Sequence, residues 1–195
     1  MTLDDPIARF SELYTEAGRR GTAEPDAMVL STVDENGRPS GRYVLLKDAD
    51  HRGFVFFTNL ESRKARDLAA NPYAALCFYW PAVDTQVRVE GTVEPVADRD
   101  ADDYFATRPR DSQIGAWAST QSAPLDSRDA LEQRIQGVQE RFEGGAVPRP
   151  PFWSGFRVVP LRIEFWKDGA FRLHDRLVFR RSAVEENRTI ESLFP

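Results

Sequence analysis

Cysteine occurs once in these 195 residues, at Cys77 inside the apolar run YAALCFYW. An internal disulfide is therefore excluded, and the setting predicts a buried thiol. Histidine occurs twice, at His51 and His174, which rules out a histidine-rich metal site, and no metal is expected. No apolar run approaches the roughly 18 residues that a membrane span needs, and no apolar signal segment follows the N-terminus. These shortages point to a cytoplasmic protein. A nucleophile elbow and a P-loop are also missing, and VDENGRPSG lacks the glycine spacing of a dinucleotide-binding turn. Lysine is scarce: of 26 basic residues only Lys47, Lys64 and Lys167 are lysines, so the positions that stay lysine stand out. The net charge of −5 argues against a nucleic-acid partner.

What is present describes a soluble globular chain, 41% hydrophobic and 29% charged, long enough for one domain with a sizeable core. DDPIARFSELYTEAGRRG opens with an acidic cap and Pro6, then places Ile7, Phe10, Tyr14 and Ala17 at helical spacing. Five strand-like runs follow: AMVLSTV, SGRYVLLK, GFVFFTN, YAALCFYW and TQVRVEGTVEPV. Asn36-Gly37 marks a hairpin between the first two, and ESRKARDLAANP reads as a short helix between the third and fourth. Residues 98–145 read as three helices, the last with Leu131, Ile135, Val138 and Phe142 on one stripe. FRVVPLRIEFW and AFRLHDRLVFRR then form a hairpin around residues 167–169. Short strands with few helices between them favour a mainly β chain, an antiparallel barrel or sandwich with peripheral helices. The expected organisation is a single domain over 1–195, with an N-terminal helix (1–25), a helical insertion (98–145) and a C-terminal hairpin region (152–195).

Several groups could hold an anion. In FRLHDR, strand periodicity places Arg172, His174 and Arg176 on one face. That face is either solvated or a grip for phosphate or carboxylate. NLESRKARDL puts Ser62, Arg63 and Lys64 in the first turn of a helix, where the helix dipole disfavours cations. Either the turn is simply solvated, or an anion sits there on free N–H groups. Arg42 and Lys47 end one strand with opposite parity, so they face opposite sides unless a bulge intervenes. Tyr104 and Arg108 lie four apart on one helix face, and Ser112 is placed to cap the next helix. These three make a phosphate pocket, or else Tyr104 is core and Arg108 solvated. Several anion grips without a nucleophile point to a bound cofactor that carries the chemistry.

Together, RYVLLK, FFTNLESRKARDL, RPRDSQIGAWAS, Gln121-Ser122 and IEFW…RLHDR closely resemble the pyridoxamine 5'-phosphate oxidase family, over about residues 26–181. The resemblance implies an antiparallel split β-barrel and a homodimer with FMN at the subunit interface. It implies oxidation of pyridoxine or pyridoxamine 5'-phosphate to pyridoxal 5'-phosphate, by hydride-equivalent transfer from C4' to the flavin, with O2 reduced to H2O2. It assigns FMN to Arg42, Tyr43, Val44, Leu45, Leu46, Lys47, Phe57, Thr58, Arg63, Lys64, Gln86, Gln121, Ser122, Trp166 and Arg176. The substrate is assigned to Lys47, Tyr104, Arg108, Ser112, Arg172, Leu173 and His174, with Arg172 and His174 closing over the reacting carbon as the catalytic pair. The chain departs from the family at its end, where ESLFP has Ser192 in place of an arginine, and its N-terminal extension is short. Two other readings remain: a related flavin oxidase of the phenazine-biosynthesis type, and a non-catalytic flavin- or pyridoxal-phosphate-binding carrier.

Overall fold

A computed structural model describes residues 5–195. Helix α1 (Pro6–Arg19) starts where Asp5 accepts the N–H groups of Ile7 and Ala8. Asp4, the other half of the expected acidic cap, lies outside the described residues. Strands β1 (Ala27–Val33) and β2 (Pro39–Leu45) pair antiparallel through the expected hairpin. Gly37 there has φ +77°, a conformation that costs glycine little.

Next come β3 (Asp48–Asp50), β4 (Gly53–Asn59), α2 (Arg63–Ala70), β5 (Tyr73–Trp80) and β6 (Thr85–Pro95). Three helices follow, α3 (Asp98–Thr107), α4 (Arg110–Ala118) and α5 (Arg128–Arg141). The chain ends in β7 (Trp153–Lys167), β8 (Asp175–Arg180) and β9 (Thr189–Ser192).

The main sheet runs β2-β1-β5-β6-β7-β4-β3, all antiparallel, and β8 and β9 extend from β7. Its edges meet where the chain leaves β2. Leu46 N–H donates to Asp26 O, and Lys47 N–H donates to Val55 O of β4. This contact curls the sheet into a split barrel. The barrel is possible because β7 serves two partners along the same edge: residues 153–158 pair with β4 and residues 162–167 pair with β8. The switch falls at a register shift opposite Glu90 and Gly91, next to Pro160, whose missing N–H suits a break in the ladder.

Phe54, Phe56, Phe78, Trp80, Val87, Val89, Ile163 and Phe165 fill the interior. Phe10 of α1 plugs one end, its ring 4.9 Å from Phe54 and 5.0 Å from Phe78. A second cluster, Phe105, Ile114, Val147 and Trp153, binds the helical insertion to the start of β7. Ile135, Val138 and Phe142 of the expected α5 stripe pack against it.

Four expectations need correction. Residues 170–174 are not strand: they form a short turn in which Phe171 and Arg172 take φ +59° and +62°, so period-two alternation stops there. Arg172, His174 and Arg176 therefore do not share a strand face. Ser112 lies inside the first turn of α4, and Pro109 holds the cap position. β2 ends at Leu45, so Lys47 is past the strand and no bulge is needed. Cys77 is half-buried rather than buried, and burial pushes its thiol up.

Candidate active site

The start of α2 collects positive charge. Ser62 occupies the cap position without bonding a helix N–H, and the first turn holds Arg63 and Lys64 but no acid. The free N–H of Arg63 donates to Ser122 Oγ (3.2 Å), in a loop where Ser122 takes φ +71°. Lys64 Nζ lies 3.0 Å from Gln121 Oε1, 3.1 Å from Thr58 Oγ1 and 3.2 Å from Ser62 Oγ, with no carboxylate among them. Burial, then the nearby Arg42 charge, pulls the Lys64 amine from 10.5 down to about 8.

Arg42 reaches the same place from β2. Its guanidinium donates to Thr32 Oγ1 (2.7 Å) and Leu30 O (3.0 Å), and stands 3.6 Å from Asp67. Thr32 in turn donates to Asp67 Oδ2 at 2.6 Å. Burial lowers the Arg42 pKa, Asp67 opposes this, and the Arg63 charge adds to the lowering. Arg42, Arg63 and Lys64 thus gather with one buried carboxylate, Asp67, which pairs with Arg42 alone. A phosphomonoester would supply the missing negative charge and accept from the helix N–H groups. The donor set fits the phosphate of FMN.

A cavity of about 530 Å³ opens beside this cluster. Tyr43, Val44, Leu45, Lys47, Phe57, Thr58, Lys64 and Gln121 line one part of it, and Tyr104, Arg108, Ser112 and Trp153 another. Lys47 Nζ is held 3.0 Å from Asp26. The rings of Phe57 and Tyr104 stack at 4.2 Å and 15°. Arg108, at the C-terminal end of α3, lies over the Trp153 ring (4.8 Å), and its buried Nη1 has no hydrogen-bond partner. Burial lowers its pKa, with Tyr104 opposing. A guanidinium that lines a cavity and has no carboxylate partner suits an anion.

The remaining predicted residues lie elsewhere. Leu46 is buried in the barrel core. Trp166, His174 and Arg176 line a second cavity of about 530 Å³, which shares no residue with the first. Gln86 pairs with Trp166 across β6–β7, and Trp166 with Arg176 across β7–β8, so the three form one row on one face. Arg176 Nε donates to Glu164 (2.8 Å), which also binds Arg88 and Arg162. Burial of Glu164 would raise its pKa, but hydrogen bonds from Arg176, Arg88 and Arg162 outweigh it and hold the carboxyl at about 2.

The His174 ring lies 4.6 Å from that of Trp166. Its Nδ1 is 3.0 Å from Asp168 Oδ1, against a long 3.4 Å approach by Gly169 N–H. Nδ1 thus faces a carboxylate on one side and a backbone N–H on the other. Phe171, Arg172 and Leu173 are exposed beside it. Sequence reasoning missed Trp153, Thr32 and Asp67. Asp67 lies on α2, and only the fold brings it to Arg42 of β2.

A family model described as pyridoxamine 5'-phosphate oxidase matches residues 14–142. A second, described as the pyridoxine 5'-phosphate oxidase C-terminal dimerisation region, matches residues 153–195. The pyridoxine/pyridoxamine 5'-phosphate oxidase of Myxococcus xanthus (strain DK1622) is 59% identical over 177 residues, covering 91% of this chain and 86% of that protein. The protein of the same name from Caulobacter vibrioides (strain NA1000 / CB15N) is 54% identical over 192 residues, covering 98% and 86%. PhzG from Burkholderia lata 383, solved with tetrahydrophenazine-1-carboxylic acid, superposes with TM-score 0.93 at 30% identity, covering 100% of this chain and 94% of that one. An FMN-binding protein related to pyridoxamine 5'-phosphate oxidase from Nostoc punctiforme PCC 73102 shares the fold, with TM-score 0.77 at 17% identity, covering 98% of each chain. A split barrel with this cation cluster, matched by both family models and by relatives above half identity, belongs to the pyridoxamine 5'-phosphate oxidase family.

Proposed function

We propose that the protein is an FMN-dependent oxidase that converts pyridoxamine or pyridoxine 5'-phosphate to pyridoxal 5'-phosphate. One observation carries this reading: a single cavity is lined by Lys64 at one part and by Tyr104, Arg108 and Ser112 at another. Arg42 and Arg63 stand close behind Lys64, outside the lining, and complete the first grip. A phosphorylated cofactor and a phosphorylated substrate each need such a grip. FMN, when bound, supplies the two-electron acceptor and returns the electrons to O2. For the amine, substrate, O2 and water give aldehyde, ammonia and H2O2; for the alcohol, substrate and O2 give aldehyde and H2O2.

The chain's own residues bind and orient. Arg63, Lys64 and Arg42 hold the flavin phosphate, with Thr58, Gln121 and Ser122 fixing the lysine and the helix start. Arg108, Tyr104 and Ser112 hold the substrate phosphate, so the pyridine ring lies at a set distance from it, and proximity lowers the barrier. Trp166, Arg172, His174 and Arg176 lie outside the first cavity of their own chain. In a homodimer they close the partner's cavity, with Arg176 on the flavin, and Arg172 and His174 over the reacting carbon.

A second reading, oxidation of a reduced phenazine carboxylate, is favoured by the close superposition on PhzG. The two readings differ at Arg108. Arg108→Ala should raise KM for pyridoxamine 5'-phosphate about 10- to 150-fold, the loss of one charge-assisted bond of about 1.5–3 kcal/mol. Steady-state oxidation of pyridoxamine with and without its phosphate checks the same point. Equal efficiency on both would refute the phosphate grip.

A further inference from the structure

Arg108 is held differently from its neighbours. Arg42 stands against Asp67, Arg157 against Asp50 and Arg176 against Glu164. Each of those carboxylates offsets charge, and those of Asp50 and Glu164 also occupy donors. No carboxylate pairs with Arg108 among the described residues; its guanidinium lies over the aromatic rings of Trp153 (4.8 Å) and Phe105 (5.5 Å). A ring face attracts a cation without accepting its in-plane N–H groups. The guanidinium is thus oriented without a carboxylate to cancel its charge, and its buried Nη1 makes no hydrogen bond that would offset it.

Trp153 is itself fixed on several sides. Its ring is nearly parallel to Phe57 (5.3 Å, 3°) and to Tyr104 (6.2 Å, 12°), and meets Phe105 edge-on at 5.0 Å. Its carbonyl accepts from Arg149 Nη1 (2.8 Å), and Arg149 binds Asp98 (2.9 Å) and Asp102 (2.5 Å) of α3. The first residue of β7 is therefore locked to the helix that presents Tyr104 and Arg108.

We propose that Trp153 is a positioning residue that selects for phosphorylated substrate by holding Arg108 through its π face, leaving the guanidinium uncancelled. This rests on Arg108 being the substrate-phosphate grip. A carboxylate in the same place would compete with the substrate phosphate for the guanidinium's donors.

The test replaces Trp153 alone by a ring-fluorinated tryptophan, which keeps the shape and removes the negative π face. Trp153→Leu and Arg108→Ala serve as parallel variants. The FMN-loaded protein is titrated at equilibrium with pyridoxal 5'-phosphate and with pyridoxal, followed by the flavin spectrum. Fluorination should weaken pyridoxal 5'-phosphate binding about 5- to 30-fold, leaving pyridoxal affinity and flavin content unchanged. Trp153→Leu, if it folds and holds FMN, should do the same. Should Arg108→Ala lose the phosphate preference while fluorination leaves it intact, the role of Trp153 is overturned. A preference unchanged in Arg108→Ala would instead overturn the grip, and this inference with it.

Discussion

The amine of Lys64 loses its proton at about pH 8 in the folded apoprotein, because burial and then the Arg42 charge disfavour the ammonium. Two opposite pH trends follow. The unfolded chain keeps that proton up to its ordinary value of 10.5, so between pH 8 and 10.5 it binds more protons than the folded one. This group's contribution to apoprotein stability therefore rises with pH over that window. FMN affinity should fall over the same range, since the phosphate dianion needs the ammonium, and binding should take up a proton above pH 8. Flavin fluorescence titrations and apoprotein melts from pH 7 to 10 check both trends. Lys64→Met should weaken FMN binding and flatten its pH dependence; an unchanged slope would place the titrating group elsewhere.

Arg176, Arg172 and His174 should also separate. Arg176→Ala should lower FMN affinity, whereas Arg172→Ala and His174→Ala should keep the flavin and lower kcat/KM. Flavin occupancy with steady-state kinetics decides this, and three fully active, fully yellow variants would make these residues surface. Lys64 and Arg63 were legible as an anomaly, cations where a helix dipole wants acid. Trp153 and Asp67 were not, because nothing local in PPFW or RDLAA tells which distant arginine each will meet.

β7 does more than its sequence announces. Its alternation of apolar and polar residues made it recognisable as a strand, and the Asn-Gly turn made the β1–β2 hairpin recognisable. Nothing periodic marks that residues 153–158 join one partner and residues 162–167 another, which the fold resolves around Pro160. The turn after β7 was misread because alternation assumes extended backbone, whereas Phe171 and Arg172 are left-handed. Two such non-glycine residues in succession cost about 1–2 kcal/mol each, strain that is tolerated where a loop must present side chains. Gly155 shows the opposite economy. A Cβ there would come within 2.7 Å of the Phe57 ring and 2.9 Å of Phe56 O. Gly155→Ala should displace Phe57 from the cavity wall, destabilise by about 1–3 kcal/mol and weaken FMN binding. Thermal melts with a flavin titration would check it, and a silent variant would mean that Phe57 has room to yield.

For the whole molecule, the predicted site residues of one chain fall beside two separate cavities. Tyr43, Tyr79, Phe171 and Leu173 are 76%, 63%, 95% and 66% exposed, more apolar surface than a lone subunit comfortably shows. The match of residues 153–195 to a dimerisation region gives the exposed Phe171 and Leu173 a use. The C-terminal tail belongs to it: Leu193 N–H donates to Arg176 O, and Arg176 Nη1 donates to Phe194 O (3.0 Å). Ser192, which stands where relatives were expected to carry arginine, borders the second cavity. Light scattering should find a dimer whose flavin is lost on dilution into monomers; a monomer with stoichiometric FMN would contradict the shared site. No helix among the described residues is long and apolar enough to cross a membrane. The measurement closest to the central claim is anaerobic mixing of the purified, FMN-loaded protein with pyridoxamine 5'-phosphate, followed by air. The flavin should bleach, then regain its colour with one aldehyde and one H2O2 formed per turnover. A flavin that stays oxidised with pyridoxamine 5'-phosphate, yet bleaches with a reduced phenazine carboxylate, would contradict the account.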